Sequence, residues 1–257
     1  MERFINAGFT IFLLLFIALP ARAESVNDVI QALEIPFRVG TPADNAVLDV
    51  EADFSQESSI ASLDKTQQGS GRVTMKFERH SSDTVPLVKF RWEYDRPTRQ
   101  EIVSDGQTMW VYIPENNQVI ESDISAVSRA RQQDPLTFLT GLGNLSRDFL
   151  VRWASPNRDS DGNYILKLTP KTTTSMFRSL EVVVDRRAVL DYVRSGVTGR
   201  DFPIRSTIAI DPNDNKTVMT FERNTIRLNR GVSDLQFRFI MPAGVDVVRP
   251  GGERMGY

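Results

Sequence analysis

The chain contains no cysteine among its 257 residues. This absence excludes disulfide bonds, thiolate nucleophiles and cysteine-ligated metal sites. It also excludes bacterial lipid attachment, because that modification needs a cysteine directly after the signal cleavage site. We therefore expect a protein that is not itself a lipoprotein.

Histidine is almost as scarce, since His80 is the only one. A histidine-rich metal site is impossible, and a Ser-His-Asp triad would have to use this residue, which lies in the polar stretch HSSDT of an expected surface loop. Paired carboxylates could still serve a glycosidase, but the acidic residues stand mainly at turns, as Asp105 before Gly106 and Asp161 before Gly162 do. The sequence thus predicts no enzyme, no catalytic residue, no metal site and no cofactor.

Charge of one sign is not in excess, because 31 basic and 33 acidic side chains give a net charge of −2 at pH 7. A nucleic-acid-binding protein would normally carry a basic stripe, so we predict no nucleic-acid partner. No Pro/Gly/Ser-rich linker and no internal repeat divides the chain, which favours one folded domain.

A long apolar run, Phe9–Leu19, lies close to the N-terminus. Arg3 precedes it and Ala21-Arg22-Ala23 follows it, which is the pattern of a cleaved signal peptide, and the run is too short to span a bilayer comfortably. The predicted organisation is a signal peptide (1–23), one domain (24–247) and a flexible C-terminal tail (248–257).

The rest of the chain is rich in alternating apolar and polar residues, most clearly in FRWEYDRPTRQEIVSDGQTMWVYI at 90–113. Phe90, Trp92 and Tyr94 fall on one face of a predicted strand, because side chains alternate across a strand. Three large aromatic residues on one face form a wide apolar surface. That surface is either filled by the protein itself, the usual fate of such residues, or binds a ligand.

The coarse pattern is strand-rich with two helical stretches. Ser25 is expected to cap a helix with an apolar stripe through Leu33, and Asp134 and Pro135 are expected to begin another within 123–147. The predicted strands are 47–56, 71–78, 87–94, 101–104, 109–113, 118–122, 149–153, 164–169, 180–185, 189–193, 206–210, 217–223 and 235–241. Strands joined by short turns predict a strongly curved antiparallel sheet or a barrel, whose open end the helices can cover to enclose a ligand cavity.

Several stretches, in order, resemble the periplasmic outer-membrane lipoprotein carrier family, the LolA-like proteins. The most specific is IVSDGQTMWVYIPENNQV at 102–119. The others are ADFSQ (52–56), FRWEY and DRP (90–97), DPLTFL (134–139), LKLTPK (166–171), FRSLEVVVD (177–185) and FRFIMPAGVDV (237–247). The resemblance implies a mainly β fold with short helices, an unclosed antiparallel β-barrel covered by an α-helical lid.

Members of this family ferry triacylated lipoproteins across the periplasm. The resemblance therefore implies a monomeric periplasmic chaperone that binds lipoprotein acyl chains in an apolar cavity. It would take them from an inner-membrane lipoprotein-releasing ABC transporter and pass them to an outer-membrane lipoprotein receptor. Burial of methylene groups at about 0.8 kcal/mol each makes one long chain worth on the order of 10 kcal/mol, which a wide apolar interior can supply.

The resemblance also implies which residues bind the acyl chains. Phe90 and Trp92 match an aromatic pair on an early strand, and Leu33 matches an apolar position on the first helix. The lid helix is matched by Leu136, Phe138, Leu139 and Leu142. The predicted set is Leu33, Phe90, Trp92, Trp110, Leu136, Phe138, Leu139 and Leu142.

One departure concerns the latch of the lid. The family often has a Lys-Arg-Pro motif before the aromatic pair, and its arginine holds the lid closed through hydrogen bonds to lid carbonyls. No arginine stands at the matching residues 84–87. Arg79, Lys89 and Arg91 are the candidates to replace it, although alternation places Lys89 and Arg91 opposite Phe90.

Two other classes of function remain open from the residues alone. One is a half-barrel binder of another lipid or of a glycolipid, and the other is a module that senses mislocalised lipoproteins. A sensor would be expected to carry a second domain or a membrane tether.

Overall fold

The computed structural model describes residues 24–79, 86–124, 141–172 and 177–249. Its helices are α1 (Val26–Glu34), α2 (Leu145–Asp148) and α3 (Arg186–Ser195). Its strands are β1 (Asp49–Ile60), β2 (Lys65–Glu78), β3 (Leu87–Arg96), β4 (Gln100–Ser104), β5 (Thr108–Ile113), β6 (Gln118–Asp123), β7 (Phe149–Arg158), β8 (Tyr164–Pro170), β9 (Ser179–Val184), β10 (Ile204–Ile210), β11 (Lys216–Phe221), β12 (Arg227–Leu228) and β13 (Asp246–Val248).

These strands form one unclosed sheet in the order β13-β6-β5-β4-β3-β2-β1-β11-β10-β9-β8-β7, with β12 paired to β1. Every pairing is antiparallel except that of β13 with β6. The prediction of a mainly β fold with an unclosed sheet is therefore confirmed. The signal peptide (1–23), His80, the start of the second predicted helix and the last eight residues lie outside the described residues.

The sheet curves, and its concave side holds the core. We call the face that carries Phe54, Trp92 and Phe221 the inner face. Three strand spacings separate β3 from β11, which is about 14 Å in a flat sheet. The rings of Trp92 and Phe221 nevertheless lie 6.2 Å apart, because the curvature brings inner-face side chains together.

Helix α1 confirms the predicted first helix and covers the inner face. The Ser25 hydroxyl accepts a hydrogen bond from the Asp28 N–H, and the Asp28 carboxylate accepts one from the Ser25 N–H, which closes a capping box. Val29 and Leu33 are completely buried against the sheet.

Helix α3 corrects the prediction of a strand at 189–193. Asp185 caps its first turn by accepting hydrogen bonds from Arg187 and Ala188, and Gly196 ends it with a left-handed backbone. Val189 is buried, and α3 packs against α1. The residues between β9 and β10 thus form a second layer over α1.

The outer face is crossed by residues 234–245, which we call the C-terminal strap and which lead into β13 at the edge of the sheet. The prediction of a strand at 235–241 is wrong, because Asp234–Phe237 form a 3₁₀ turn. The Arg91 guanidinium donates hydrogen bonds to the carbonyls of Gln236 and Arg238, at 2.7 and 3.1 Å. Phe237 is buried while Leu235 is 66% exposed. A hydrogen bond from Lys76, the largest cause, lowers the pKa of Asp234 at the start of the strap.

Candidate functional site

The inner face changes character along the strands. On β1 it carries Val50 and Phe54, which are buried, and then Gln56 and Ser58. The strand partners follow the same gradient, because the inner face of β3 runs from Phe90 to Tyr94. One end of the concave face is therefore apolar, and the other end is polar but uncharged.

A cavity of about 370 Å³ opens at the uncharged end. Its floor is apolar, with Ile102, Met219 and Phe221 among the lining residues. Its rim is made of amides and hydroxyls from Gln56, Ser58, Gln67, Gln68, Thr98, Gln100, Thr207 and Thr217. Since no acidic or basic side chain of the described chain lines it, this cavity suits an uncharged ligand.

An aromatic cluster forms the boundary between the two ends. The ring of Phe54 lies 4.9 Å from the rings of both Trp92 and Tyr94, in edge-on contacts. The Tyr94 hydroxyl lies 2.8 Å from the Gln56 side-chain oxygen. The Trp92 indole N–H is buried and has no hydrogen-bond partner within the part of the chain that the structure describes. Trp92 therefore meets both the apolar core and the uncharged cavity.

The apolar end is filled by the protein's own side chains. Leu33 of α1 is fully buried in one cluster with Phe90 and Trp92. The same cluster contains two further fully buried leucines from the segment before β7, Leu142 and Leu145. A ligand that reached the apolar end would have to displace α1 or residues 141–149 from the sheet. Helix α1 and residues 141–149 thus cover the apolar end of the inner face.

The structure brings together half of the predicted site. Leu33, Phe90, Trp92 and Leu142 share one core. Trp110 is not with them, because it pairs with Val103, and Val103 pairs with Arg91 on the outer face. There Trp110 stacks at 5.8 Å on Phe239 of the C-terminal strap. Leu136, Phe138 and Leu139 lie outside the described residues.

Sequence reasoning missed the other inner-face residues that surround Trp92. Phe54, Val73, Met75 and Phe221 are all buried beside it. Alternation places each on an apolar face of its strand, as it does for Val73 and Met75 within 71–78. It could not show that β11 lies beside β1, which is what brings Phe221 to Trp92.

A buried carboxylate ties the end of α1 to the chain before β7. Glu34 is 3% exposed and accepts a hydrogen bond of 2.7 Å from the Leu145 N–H. Its other oxygen accepts one of 2.7 Å from Arg38, whose Nε donates to the Gly143 carbonyl at 3.2 Å. We call these contacts of Glu34 and Arg38 the clamp. The clamp holds together the two segments that cover the apolar end.

Of the three latch candidates, Arg79 alone contacts the inner side. Its guanidinium donates to the carbonyls of Thr41 and Pro36, which follow α1, at 2.6 and 3.1 Å. Burial lowers the pKa of this arginine. Lys89 pairs instead with Glu78 at 2.6 Å, and Arg91 faces the strap. Arg79 therefore fastens the chain after α1 to the end of β2.

The chain matches known proteins over most of its length. Residues 45–195, more than half of the chain, match the model of the family described as outer membrane lipoprotein carrier protein LolA. An outer-membrane lipoprotein carrier protein of Cupriavidus taiwanensis is 30% identical over 219 residues, which is 83% of this chain and 92% of the relative. One of Chromohalobacter salexigens is 29% identical over 208 residues, 80% and 83% of the two chains.

Among solved structures, a LolA superfamily protein from Nitrosomonas europaea shares 14% sequence identity with a TM-score of 0.42, covering 84% of this chain and 99% of its own. None of the helices among the described residues is long and apolar enough to cross a membrane. By the family match and its relatives, this chain belongs to the LolA family of outer-membrane lipoprotein carrier proteins.

Proposed function

We propose that the protein is a periplasmic carrier that holds the acyl chains of lipoproteins against the inner face of its sheet. It receives them from an inner-membrane lipoprotein-releasing transporter and hands them to an outer-membrane receptor. It works as a chaperone rather than as an enzyme. Family membership supports the cargo class, and the apolar inner face around Phe90 and Trp92 supports the place where the chains bind.

The main observation that supports this proposal is the contiguous apolar surface beneath α1 and residues 141–149. Leu33 and Leu142 occupy it, and acyl chains would take their place when α1 or residues 141–149 move away. Because the covering side chains lose their own contacts when the cargo enters, net affinity is lower than the apolar area alone would give. A carrier needs that reduction, since it must release its cargo to the next protein.

The uncharged rim supports an orientation of the cargo in which the acyl chains lie at the apolar end and their carbonyl groups lie at the rim. Ester and amide carbonyls lie where the acyl chains join the rest of a lipoprotein, and they accept hydrogen bonds from amides and hydroxyls. The side chains of Gln56, Gln67 and Gln100 would receive these carbonyls at the cavity of about 370 Å³. Trp92 also lines this cavity.

The rim also favours one alternative cargo. Amide and hydroxyl groups without a charged neighbour suit the hydroxyls of a neutral glycolipid. Native mass spectrometry of protein taken gently from its own periplasm separates the two cargoes by mass. Bound lipoprotein supports the proposal, and bound glycolipid alone would replace it.

The binding surface is tested by placing a carboxylate on each face. Phe90→Glu puts an unpaired charge in the apolar end, so uptake of a triacylated lipopeptide should fall by at least about tenfold. Trp110→Glu makes the same kind of change on the outer face and should leave uptake within about twofold. Ile102→Glu, on the floor of the cavity, serves if Phe90→Glu fails to fold by circular dichroism. A folded inner-face variant with normal uptake would remove this surface from the mechanism.

A further inference from the structure

A second cavity, of about 400 Å³, lies between the chain that follows α3 and the chain around β12. We call it the arginine cleft. Its cationic lining residues are Arg200, Arg205, Arg223, Arg227 and Arg230. Asp201 is the acidic residue on its wall, so among the described lining residues five positive charges face one negative charge.

Most of these arginines are not neutralised by a neighbouring carboxylate. Arginines elsewhere, such as Arg38 and Arg72, have a carboxylate within 3.0 Å. Within the residues that the structure describes, the side chains of Arg200, Arg223 and Arg230 have no hydrogen bond or ion pair. Their charges therefore repel one another across the cleft unless an anion occupies it.

Arg205 supplies a second and independent sign of a missing partner. Its Nε and Nη2 donate to the buried carboxylate of Asp185, and its side chain is only 13% exposed. The third nitrogen, Nη1, is buried without a hydrogen-bond partner in the described chain. A buried donor of a charged group is costly to leave unsatisfied, so Arg205 adds an unmet hydrogen-bonding group to the residues that line the cleft.

Both walls of the cleft are fixed to the body of the protein. Phe202 is buried, with its ring 5.4 Å from that of Phe221 and 6.3 Å from that of Phe37. On the other side, the Asp49 carboxylate accepts a hydrogen bond of 2.7 Å from the Arg230 N–H. A site whose walls are already in place loses little conformational freedom when a ligand binds.

We propose that the arginine cleft binds a phosphate group. A guanidinium presents a rigid fork of N–H donors that matches two phosphate oxygens, and no lysine is among the lining residues described. Phe202, Ile226 and Leu228 give the cleft an apolar wall as well. The phosphate can therefore be free, or it can be the head group of an anionic phospholipid whose apolar part lies against that wall.

The arginine cleft lies apart from the uncharged cavity. Strand β12 pairs with the beginning of β1, at Val50 and Glu51, whereas the uncharged cavity lies near Gln56 and Ser58. Six residues of strand separate Val50 from Gln56, which is about 20 Å.

The test uses the full mature chain and a triple variant, Arg200→Gln/Arg223→Gln/Arg230→Gln. These three side chains are exposed, so the fold should be kept and can be verified by circular dichroism. The control, Arg152→Gln/Arg187→Gln/Arg194→Gln, removes the same charge from exposed positions outside the cleft. Inorganic phosphate is titrated by calorimetry, and vesicles of phosphatidylglycerol or phosphatidylcholine are tested by co-sedimentation.

We expect saturable phosphate binding that the cleft variant weakens by at least about tenfold and the control by less than about twofold. Cleft-dependent binding to phosphatidylglycerol but not to phosphatidylcholine would assign the phosphate to a lipid head group. Cleft-dependent binding of inorganic phosphate without vesicle binding would assign it to a free anion. No saturable binding to either probe, or an equal loss in both variants, would overturn the proposal.

Discussion

At the scale of single residues, a buried carboxylate joins parts of the chain that lie far apart in sequence. Glu34 accepts the N–H of Leu145, 111 residues away, and pairs with Arg38. Because charge-assisted hydrogen bonds of a buried group are strong, the clamp resists separation of α1 from residues 141–149. In the proposed carrier, that separation is the step that admits cargo.

Replacing Glu34 with glutamine keeps the shape of the side chain but removes its charge. We expect the free energy of unfolding to fall by about 1–3 kcal/mol, because hydrogen bonds to a charged group are lost or weakened. The amides of residues 141–149 should exchange faster with solvent, since the covering segment opens more often. Urea unfolding and hydrogen exchange measure the two effects.

Glu57→Gln is the matched control, since Glu57 is exposed on the outer face of β1. It should change the free energy of unfolding by no more than about 0.5 kcal/mol. If Glu34→Gln behaves like this control in both measurements, the clamp does not hold the cover closed.

At the scale of elements, local signals and long-range partners contributed differently. The Ser25 cap of α1 and the alternation of β1–β6 are local, so the sequence predicted them. Residues 189–193 were predicted as a strand but belong to helix α3, whose capping residues are Asp185 and Gly196. Residues 235–241 were also predicted as a strand. In the structure the carbonyls of Gln236 and Arg238 accept hydrogen bonds from the Arg91 side chain rather than from a neighbouring strand, and a partner so distant in sequence cannot be read from a local pattern.

Asp185 is expected to be the most sensitive position of α3. It caps the helix and is the buried partner of Arg205, so Asp185→Ala should lower the free energy of unfolding by about 3–5 kcal/mol. Asp191→Ala, within the same helix and with the same change of charge, should cost much less. Chemical denaturation of the two variants gives the comparison, and equal losses would show that the cap and ion pair contribute little.

The strap should be held mainly by the ring of Phe237. Phe237→Ala removes a buried ring and should cost about 3–5 kcal/mol if the strap is an integral part of the fold. Leu235→Ala, two residues away on the exposed side, should cost less than about 0.5 kcal/mol. A Phe237→Ala protein as stable as the Leu235→Ala protein would mean that the strap is only loosely attached.

At the scale of the whole molecule, the sheet separates two surfaces that different segments cover. The inner face is covered by α1 and residues 141–149 and is the proposed place for acyl chains. The outer face is covered by the C-terminal strap and carries Trp110. The register of β3, β4 and β5 decides this separation, because a shift of one residue would move Trp110 to the inner face.

This dependence on register explains how much of the site the sequence could predict. Phe90 and Trp92 share a face by alternation within one strand, so their grouping followed from the sequence. The face of Trp110 depends on its pairing with Val103 across a turn, which alternation alone does not give. Glu34 could not be recognised, because one of its partners is the backbone N–H of Leu145, 111 residues away. Arg79 was one of three latch candidates, and its carbonyl partners in Pro36 and Thr41 could not be read from the sequence.

The central claim is that acyl chains bind on the inner face and not on the outer face, and tryptophan fluorescence tests it most directly. One variant, Trp110→Phe/Trp153→Phe, keeps only Trp92, and the other, Trp92→Phe/Trp153→Phe, keeps only Trp110. Both are titrated with a triacylated lipopeptide whose acyl chains carry bromine, which quenches an indole only at close range. The account predicts strong quenching of Trp92 and little quenching of Trp110. Equal quenching of the two, or quenching of Trp110 alone, would contradict it.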